Sequence, residues 1–271
     1  KKVSLIADNI RTATGTGNLT FTKIDDDNTY TWSDTTTFPK TSTINHTGDL
    51  TKAEGAVRFR LPGTGDNVNQ YYKFEFTPTG NKNEQITELS ENVSNGYFYG
   101  LLSDKDSVNE GYGGAIYASS SAGKSITADF INNTGIYGGA IYNNQNKKLI
   151  DVIGNFIGNS VSGNAARGGA ICNAGNISNI TGNFVGNNLN LQGGAIYNSS
   201  TGVIDSINGD FVGNFSLSNN SNSCGGAIYN AGSIPIINGH FVGNSSSYSG
   251  GAIENIGSIS NLTADFIGNS S

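Results

Sequence analysis

Two short apolar motifs alternate along the second half of the chain, from residue 111 to residue 271. Successive Gly-Gly pairs are 25, 30, 25, 32 and 25 residues apart, and the variation collects between Phe-x-x-Asn and the next Gly-Gly. Self-similarity at such a period predicts a repeat architecture. The first motif, Gly-Gly-Ala-Ile, begins at Gly113, Gly138, Gly168, Gly193, Gly225 and Gly250. The second, Phe-x-x-Asn, begins at Phe130, Phe156, Phe184, Phe211, Phe241 and Phe266.

Each repeat contains three short apolar segments separated by Gly and Asn turns, and no segment has helical spacing. An apolar pair precedes the Phe by seven and four residues, as Ile177 and Ile180 do before Phe184. A unit of about 25 residues is too short to bury these side chains alone, whereas stacked units bury a continuous core. We therefore predict an all-β fold: a right-handed parallel β-helix of about six coils of 25–30 residues.

Stacking assigns roles to the recurring residues. Gly-Gly supplies a turn with positive φ or a close backbone approach, and the Phe and Ile side chains point inward. The asparagines are expected to hydrogen-bond from coil to coil. The predicted ladder consists of Asn159, Asn187, Asn214, Asn244 and Asn269, and Asn133 is the equivalent residue of the first repeat.

The residue after each repeat Phe is always Ile or Val, which strict alternation would place on the outside. Either a bend buries both side chains, or an apolar stripe is exposed for a partner. The sequence leaves both interpretations open.

Residues 1–110 follow a different pattern, with 11 of the 15 Lys and Arg and 15 of the 21 Asp and Glu. Alternating apolar positions predict strands over 18–24, 56–61 and 71–76. We expect this region to be an N-terminal β-rich cap or a separate tip domain, which would cover the open end of the solenoid.

Composition narrows the possible partners. The net charge is −6, and charged residues make up 13% of the chain, about half the usual share. The acidic balance argues against nucleic acid as a partner. No apolar run reaches the roughly 18 residues of a membrane helix. Cys172 and Cys224 fall five positions apart in register and two coils apart, so we expect two free thiols.

A tyrosine column follows Gly-Gly-Ala-Ile and is the first candidate site, because a stacked tyrosine stripe suits sugar rings or protein. The alternative is mutual stacking that only stabilises the solenoid. Two long insertions, Ser160–Arg167 and Phe215–Cys224, are expected to protrude as loops. The column contains Tyr117, Tyr142, Tyr197 and Tyr229, with Cys172 and Glu254 at the equivalent positions of the other two repeats.

A second candidate lies in the column before each Phe, where Asp210, His240 and Asp265 fall on three consecutive coils. Stacked carboxylates of this kind would serve a polysaccharide lyase or hydrolase. The repeat half has only four Lys and Arg, none of them in these coils, so a lyase would lack its stabilising cation. The alternative is a solvated face. We expect no metal site and no cofactor.

The tandem Gly-Gly-Ala-Ile and Phe-x-x-Asn motifs resemble those of the polymorphic membrane proteins of Chlamydia and related autotransporter passengers. The resemblance covers residues 111–271. It implies a right-handed β-helical passenger exported to the bacterial cell surface, where a C-terminal β-barrel, which is absent here, would display it. It also implies adhesion to a host-cell protein or glycan, often with self-association. The chain is then expected to be a fragment whose solenoid continues.

Three functions follow from these patterns. The leading one is a surface-displayed adhesin, for which the solenoid is a stiff spacer. The second is a polysaccharide-active enzyme using Asp210, His240 and Asp265. The third is a structural subunit of a surface fibre or coat.

Overall fold

The computed structural model describes residues 17–23, 53–60, 69–78, 81–103, 111–163, 166–216 and 223–271. These residues form 25 strands and no helix. Parallel strands stack as a β-solenoid of about five turns, as the sequence predicts. We number six coils from the Gly-Gly pairs, with coil 1 beginning at Gly113 and coil 6 at Gly250.

The N-terminal strands form a separate antiparallel sheet in the order β1-β3-β2. They are β1 (Gly17–Lys23), β2 (Ala53–Arg60) and β3 (Asn69–Pro78). These strands overlap the three predicted from alternation, with ends that differ by one to three residues. The rest of residues 1–80, which belongs to the predicted cap, lies outside the described residues.

Three parallel sheets make the sides of the solenoid. The six-stranded sheet carries the Gly-Gly-Ala-Ile segments: β6 (Ile116–Ala118), β9 (Ile141–Asn143), β13 (Ile171–Asn173), β17 (Ile196–Asn198), β21 (Ile228–Asn230) and β24 (Ile253–Asn255). The five-stranded sheet follows Phe-x-x-Asn: β8 (Thr134–Gly135), β12 (Ser160–Val161), β16 (Asn188–Leu189), β20 (Phe215–Ser216) and β23 (Ser245–Ser246).

The longest sheet carries the apolar pair and the Phe of each repeat. Its eleven strands are β4 (Asn81–Lys82), β5 (Val93–Tyr99), β7 (Lys124–Ile131), β10 (Lys148–Ile153), β11 (Phe156–Ile157), β14 (Asn176–Thr181), β15 (Phe184–Val185), β18 (Val203–Asn208), β19 (Phe211–Val212), β22 (Ser233–Val242) and β25 (Ser258–Ile267).

A column of phenylalanines runs through the core in register. Neighbouring rings lie 4.7–5.1 Å apart between centroids and within 9° of parallel. The Ile of each Gly-Gly-Ala-Ile packs in the same core, as predicted. The column contains Phe98, Phe130, Phe156, Phe184, Phe211, Phe241 and Phe266.

The solenoid begins before residue 111, which corrects the boundary drawn from the motifs. Phe98 in β5 pairs with Phe130 in β7, and the amide of Leu101 donates to Asn133 Oδ1 at 3.0 Å. Residues 81–103 therefore contribute strands to the stack without carrying either motif. Leu101 stands where the later coils have asparagine, so the sequence pattern is lost there.

The predicted asparagine ladder from Asn159 to Asn269 forms, and Asn133 extends it by one coil. Asn187 shows the unit of the ladder: Nδ2 donates to Asn214 Oδ1 at 3.0 Å and to the Phe156 carbonyl at 2.9 Å. Its Oδ1 accepts from the amide and Nδ2 of Asn159 at 2.9 and 3.0 Å. Equivalent bonds connect the other members, so the buried amides satisfy one another.

A second asparagine ladder, which the sequence analysis missed, follows Gly-Gly-Ala-Ile. Each Nδ2 donates to the next Oδ1 at 2.7–2.8 Å. The signal was present, because asparagine stands two residues after the Ile in five of the six repeats. The members are Asn143, Asn173, Asn198, Asn230 and Asn255.

The two glycines of each pair serve different purposes, and coil 3 illustrates both. Gly168 has φ +66°, and a Cβ there would meet the carbonyl oxygen of Ile171. A Cβ on Gly169 would instead meet the carbonyl oxygen of Gly194 in the next coil. The first glycine thus makes the turn and the second permits close approach between coils.

The residue after the Phe is buried in coils 1 to 5 and half-buried at Ile267 in coil 6, so no apolar stripe is exposed. The buried members are Ile131, Ile157, Val185, Val212 and Val242. The next position has φ between +53° and +63° in every coil, and the chain bends there. The bend, rather than the exposed stripe, is the interpretation that the structure supports.

Candidate functional site: the tyrosine face

The predicted tyrosine column lies on the six-stranded sheet in register. Tyr117 pairs with Tyr142, and Tyr197 with Tyr229, with ring centroids 5.7 and 5.4 Å apart. Tyr117, Tyr142 and Tyr229 are half-buried, and Tyr197 is buried. The rings stack on one another, and most keep part of their surface accessible.

A second column, which the sequence analysis missed, runs beside the first. Residues immediately before the Gly-Gly pairs form parallel bridges from coil to coil. Tyr112 and Tyr137 stand in its first two positions, and the Tyr112 ring lies 4.7 Å from that of Tyr142 and 5.1 Å from that of Tyr137. The position before each Gly-Gly recurs in the sequence, but only two of its six residues are tyrosines. An aromatic column was therefore not predictable there. The column contains Tyr112, Tyr137, Arg167, Gln192, Cys224 and Ser249.

Arg167 takes the third position of this column. Its side chain is exposed, and the guanidinium carbon lies 5.0 Å from the centre of the Tyr197 ring, within the range of a cation–π contact. The two columns together make one surface, which we call the tyrosine face. It consists of Tyr112, Tyr117, Tyr137, Tyr142, Arg167, Tyr197 and Tyr229.

The tyrosine hydroxyls remain protonated at neutral pH. Burial raises the pKa of Tyr117, Tyr142, Tyr197 and Tyr229 above the ordinary value of 10.0. Asn144 Nδ2 donates to the Tyr117 hydroxyl oxygen at 2.7 Å, so the Tyr117 O–H is left to donate elsewhere. The face therefore offers neutral rings and hydroxyl donors.

Cys172 interrupts the tyrosine column between Tyr142 and Tyr197. Burial raises the pKa of its thiol from 9.0 to about 12, and the nearby Arg167 lowers it in part. Cys172 and Cys224 are not joined by a disulfide, as expected from their register. A thiol with so high a pKa is a poor nucleophile, so Cys172 has a packing role.

The structure also brings Asp210, His240 and Asp265 together. His240 Nδ1 lies 2.8 Å from Asp210 Oδ1, and His240 Nε2 lies 3.2 Å from Asp265 Oδ2. Asp210 is fully buried, His240 half-buried and Asp265 exposed. A groove of about 440 Å³ lies beside His240 and Asp265.

The same column contains a related contact in the earlier coils. The amide and Nδ2 of Asn155 both donate to Asp129 Oδ1, at 2.9 and 3.1 Å, and the amide of His240 likewise donates to Asp210 Oδ1 at 2.9 Å. Stacking of polar side chains is thus a general property of this column. The solvated face given as the alternative is wrong for most of it, because Asp129, Asn155, Asn183 and Asp210 are fully buried and only Asp265 is exposed.

The predicted loops are described only in part, because residues 164–165 and 217–222 lie outside the described residues. At their bases Val161, Ala166 and Leu189 form a small buried cluster apart from the main core. Within the described residues, no three His, Cys, Asp or Glu side chains are grouped to hold a metal ion, and no helix could span a membrane.

Comparisons of the chain with family models, with curated proteins and with solved structures find no match. The fold and the site geometry therefore carry the functional argument.

Proposed function

We propose that this chain is an adhesive module: a stiff β-solenoid that presents the tyrosine face to a partner on a host cell. The observation that carries the proposal is the clustering of Tyr112, Tyr117, Tyr137 and Tyr142, half-buried and with rings 4.7–6.2 Å apart. Rigid aromatic side chains give large contact area at low entropic cost, which is why they are frequent in binding surfaces.

The proposal places the chain outside the cell, displayed at the bacterial surface or secreted. The resemblance to autotransporter passengers supports this location. A neutral surface rich in Asn and Ser with few charges suits a spacer that contacts its partner through one face. Self-association of such modules is part of the same proposal.

Adhesion of beads coated with the chain to cultured epithelial cells tests the proposal. We expect saturable adhesion that soluble chain competes away, and a loss of about tenfold or more with Tyr142→Ala, as for an interface hot spot. Tyr248→Ala is the matched control, because Tyr248 is exposed and lies in the loop that leads into coil 6, outside the tyrosine face. Circular dichroism and thermal melts of both variants exclude unfolding.

Two results would contradict the proposal. One is adhesion no greater than that of beads coated with an unrelated β-helix, and the other is an equal loss of adhesion in the two variants. The first would deny adhesion altogether. The second would move contact away from the tyrosine face.

A second candidate is a polysaccharide lyase or hydrolase, favoured by the contacts of His240 with Asp210 and Asp265. The buried Asp210 would orient the imidazole, and Nε2 would face the exposed side, where a proton is exchanged with substrate. Cleavage of a polysaccharide panel, lost in Asp210→Asn and in His240→Gln, would establish this function. Adhesion that survives both substitutions, without cleavage by the unaltered chain, would reject it.

A further inference from the structure

The cations of the repeat half are all in coils 1 and 2, three of them in coil 2. Residues 111–271 contain four Lys and Arg, and these are Lys124, Lys147, Lys148 and Arg167. The acidic groups there are distributed differently: Asp129 and Asp210 are buried, Asp151 lies in coil 2, and Asp205, Glu254 and Asp265 lie in coils 4 and 6. The strands before coil 1 add the exposed Glu84, Glu88 and Glu91. Coil 2, which has Lys147, Lys148 and Arg167 but one carboxylate, Asp151, thus carries a net positive charge in an otherwise acidic molecule.

Arg167 lies at one side of this region, within the tyrosine face. It makes no ion pair among the described residues, and its guanidinium stacks over Tyr197 with its edge exposed. A guanidinium held flat by an aromatic ring presents a fork of N–H donors that fits a carboxylate or a sulfate.

Lys147 and Lys148 lie at the other side, and we call them the cationic edge. The Lys147 amide donates to the Asn144 carbonyl at 3.1 Å, and Asn144 holds the Tyr117 hydroxyl. The Lys147 ammonium donates to Ser121 Oγ at 3.2 Å, and Lys148 is exposed. Tyr117 and Tyr142 therefore lie between an arginine fork and two ammonium groups.

The one carboxylate of coil 2 is already engaged. Asp151 Oδ1 accepts from Asn179 Nδ2 at 2.9 Å, and Ser125 Oγ lies 3.4 Å from Asp151 Oδ2. Neither Lys147 nor Lys148 is paired with it, so both charges are available to a ligand.

Resting on the proposed adhesive function, we infer that coils 1 and 2 of the tyrosine face bind an anionic glycan, one bearing sulfate or carboxylate groups. Sugar rings stack on Tyr117 and Tyr142, and the Tyr117 O–H donates to a sugar oxygen. The acidic groups bind Arg167 and the cationic edge. A polyhydroxylated ligand suits this surface better than an acidic peptide, because the face offers ring surfaces and hydroxyls in one flat row of stacked coils.

Isothermal titration calorimetry with a heparin-derived octasaccharide tests the inference. We expect binding that weakens as salt rises, and a loss of about tenfold in affinity for Arg167→Gln and for the Lys147→Gln/Lys148→Gln double variant. Lys82→Gln is the matched control and should leave affinity unchanged, since Lys82 is an exposed lysine in β4, before coil 1 and outside the tyrosine face and the cationic edge. A neutral dextran and a polyglutamate peptide are the comparison ligands.

Three results would overturn the inference: no binding of the octasaccharide, equal binding of dextran, or equal binding of polyglutamate. The same variants in the bead assay separate it from the proposed function. Adhesion that depends on Tyr142 but not on Arg167 or the cationic edge would support the adhesive function. It would contradict the inference that the ligand is anionic. Octasaccharide binding without cell adhesion would support the anionic ligand and contradict the proposed adhesive function.

Discussion

At the scale of single residues, one asparagine carries three roles at each step of the ladder. It donates to a neighbouring asparagine and to a core carbonyl, and it accepts from the coil before it. Its position was predictable from sequence because every repeat places it three residues after Phe. The second ladder was equally predictable, because its asparagines stand two residues after the Ile of Gly-Gly-Ala-Ile in five of the six repeats.

Asn187→Ala is expected to lower the free energy of unfolding by about 2–4 kcal/mol, because several buried donors and acceptors lose their partners. Asn190→Ala is the control, since Asn190 is exposed in the same coil, and its effect should stay within about 0.5 kcal/mol. Urea unfolding followed by circular dichroism measures both. Similar effects of the two substitutions would contradict the ladder's role.

Cys172 makes the free energy of unfolding depend on pH in the alkaline range. Its pKa rises from 9.0 unfolded to about 12 folded, so the neutral thiol stabilises the fold fully below pH 9, and this contribution is lost as pH rises from 9 to about 12. Between pH 8 and 10.5, the stability advantage of the unaltered chain over Cys172→Ala should shrink by about 2 kcal/mol. Urea titrations of both proteins at the two pH values measure it. An advantage that stays constant would show that the thiol is not buried.

At the scale of the elements, the phenylalanine column explains which coils the sequence reveals. Motif spacing located coils 1 to 6 because each repeats both motifs. It missed the strands in residues 81–103, because Phe98 stacks in the column without the flanking signature. Strict alternation likewise failed for the residue after Phe, where the bend at positive φ allows two adjacent side chains to be buried.

Position along the column should govern the cost of losing a ring. Phe211 lies between two rings at 4.7 Å and is fully buried, so Phe211→Ala is expected to cost about 3–5 kcal/mol. Phe266 contacts one ring and is 49% exposed, so Phe266→Ala should cost less than about half as much. Thermal or urea unfolding gives both values, and equal costs would contradict the stacking order.

At the scale of the whole molecule, the position of a residue within its repeat determines the side of the solenoid on which it lies. Residues one repeat apart become neighbours on the same side of the solenoid, and this brings together the tyrosine face and the Asp210–His240–Asp265 group. The tyrosine column was predictable on this basis. Arg167 and the cationic edge were not, because they occur once each and have no periodic signal.

The tyrosine face and the Asp210–His240–Asp265 group both depend on that register, and paired spin labels measure it directly. Asn179, Ser206 and Ile236 are outward positions in register on three consecutive coils. In a chain with Cys172 and Cys224 replaced by Ala, labels on Ser206→Cys and Ile236→Cys should lie about 5 Å apart at their backbones and give an exchange-narrowed spectrum. Labels on Asn179→Cys and Ile236→Cys, about 10 Å apart, should show dipolar broadening without narrowing. The same spectrum from both pairs, or no interaction in the first, would contradict the stacked register.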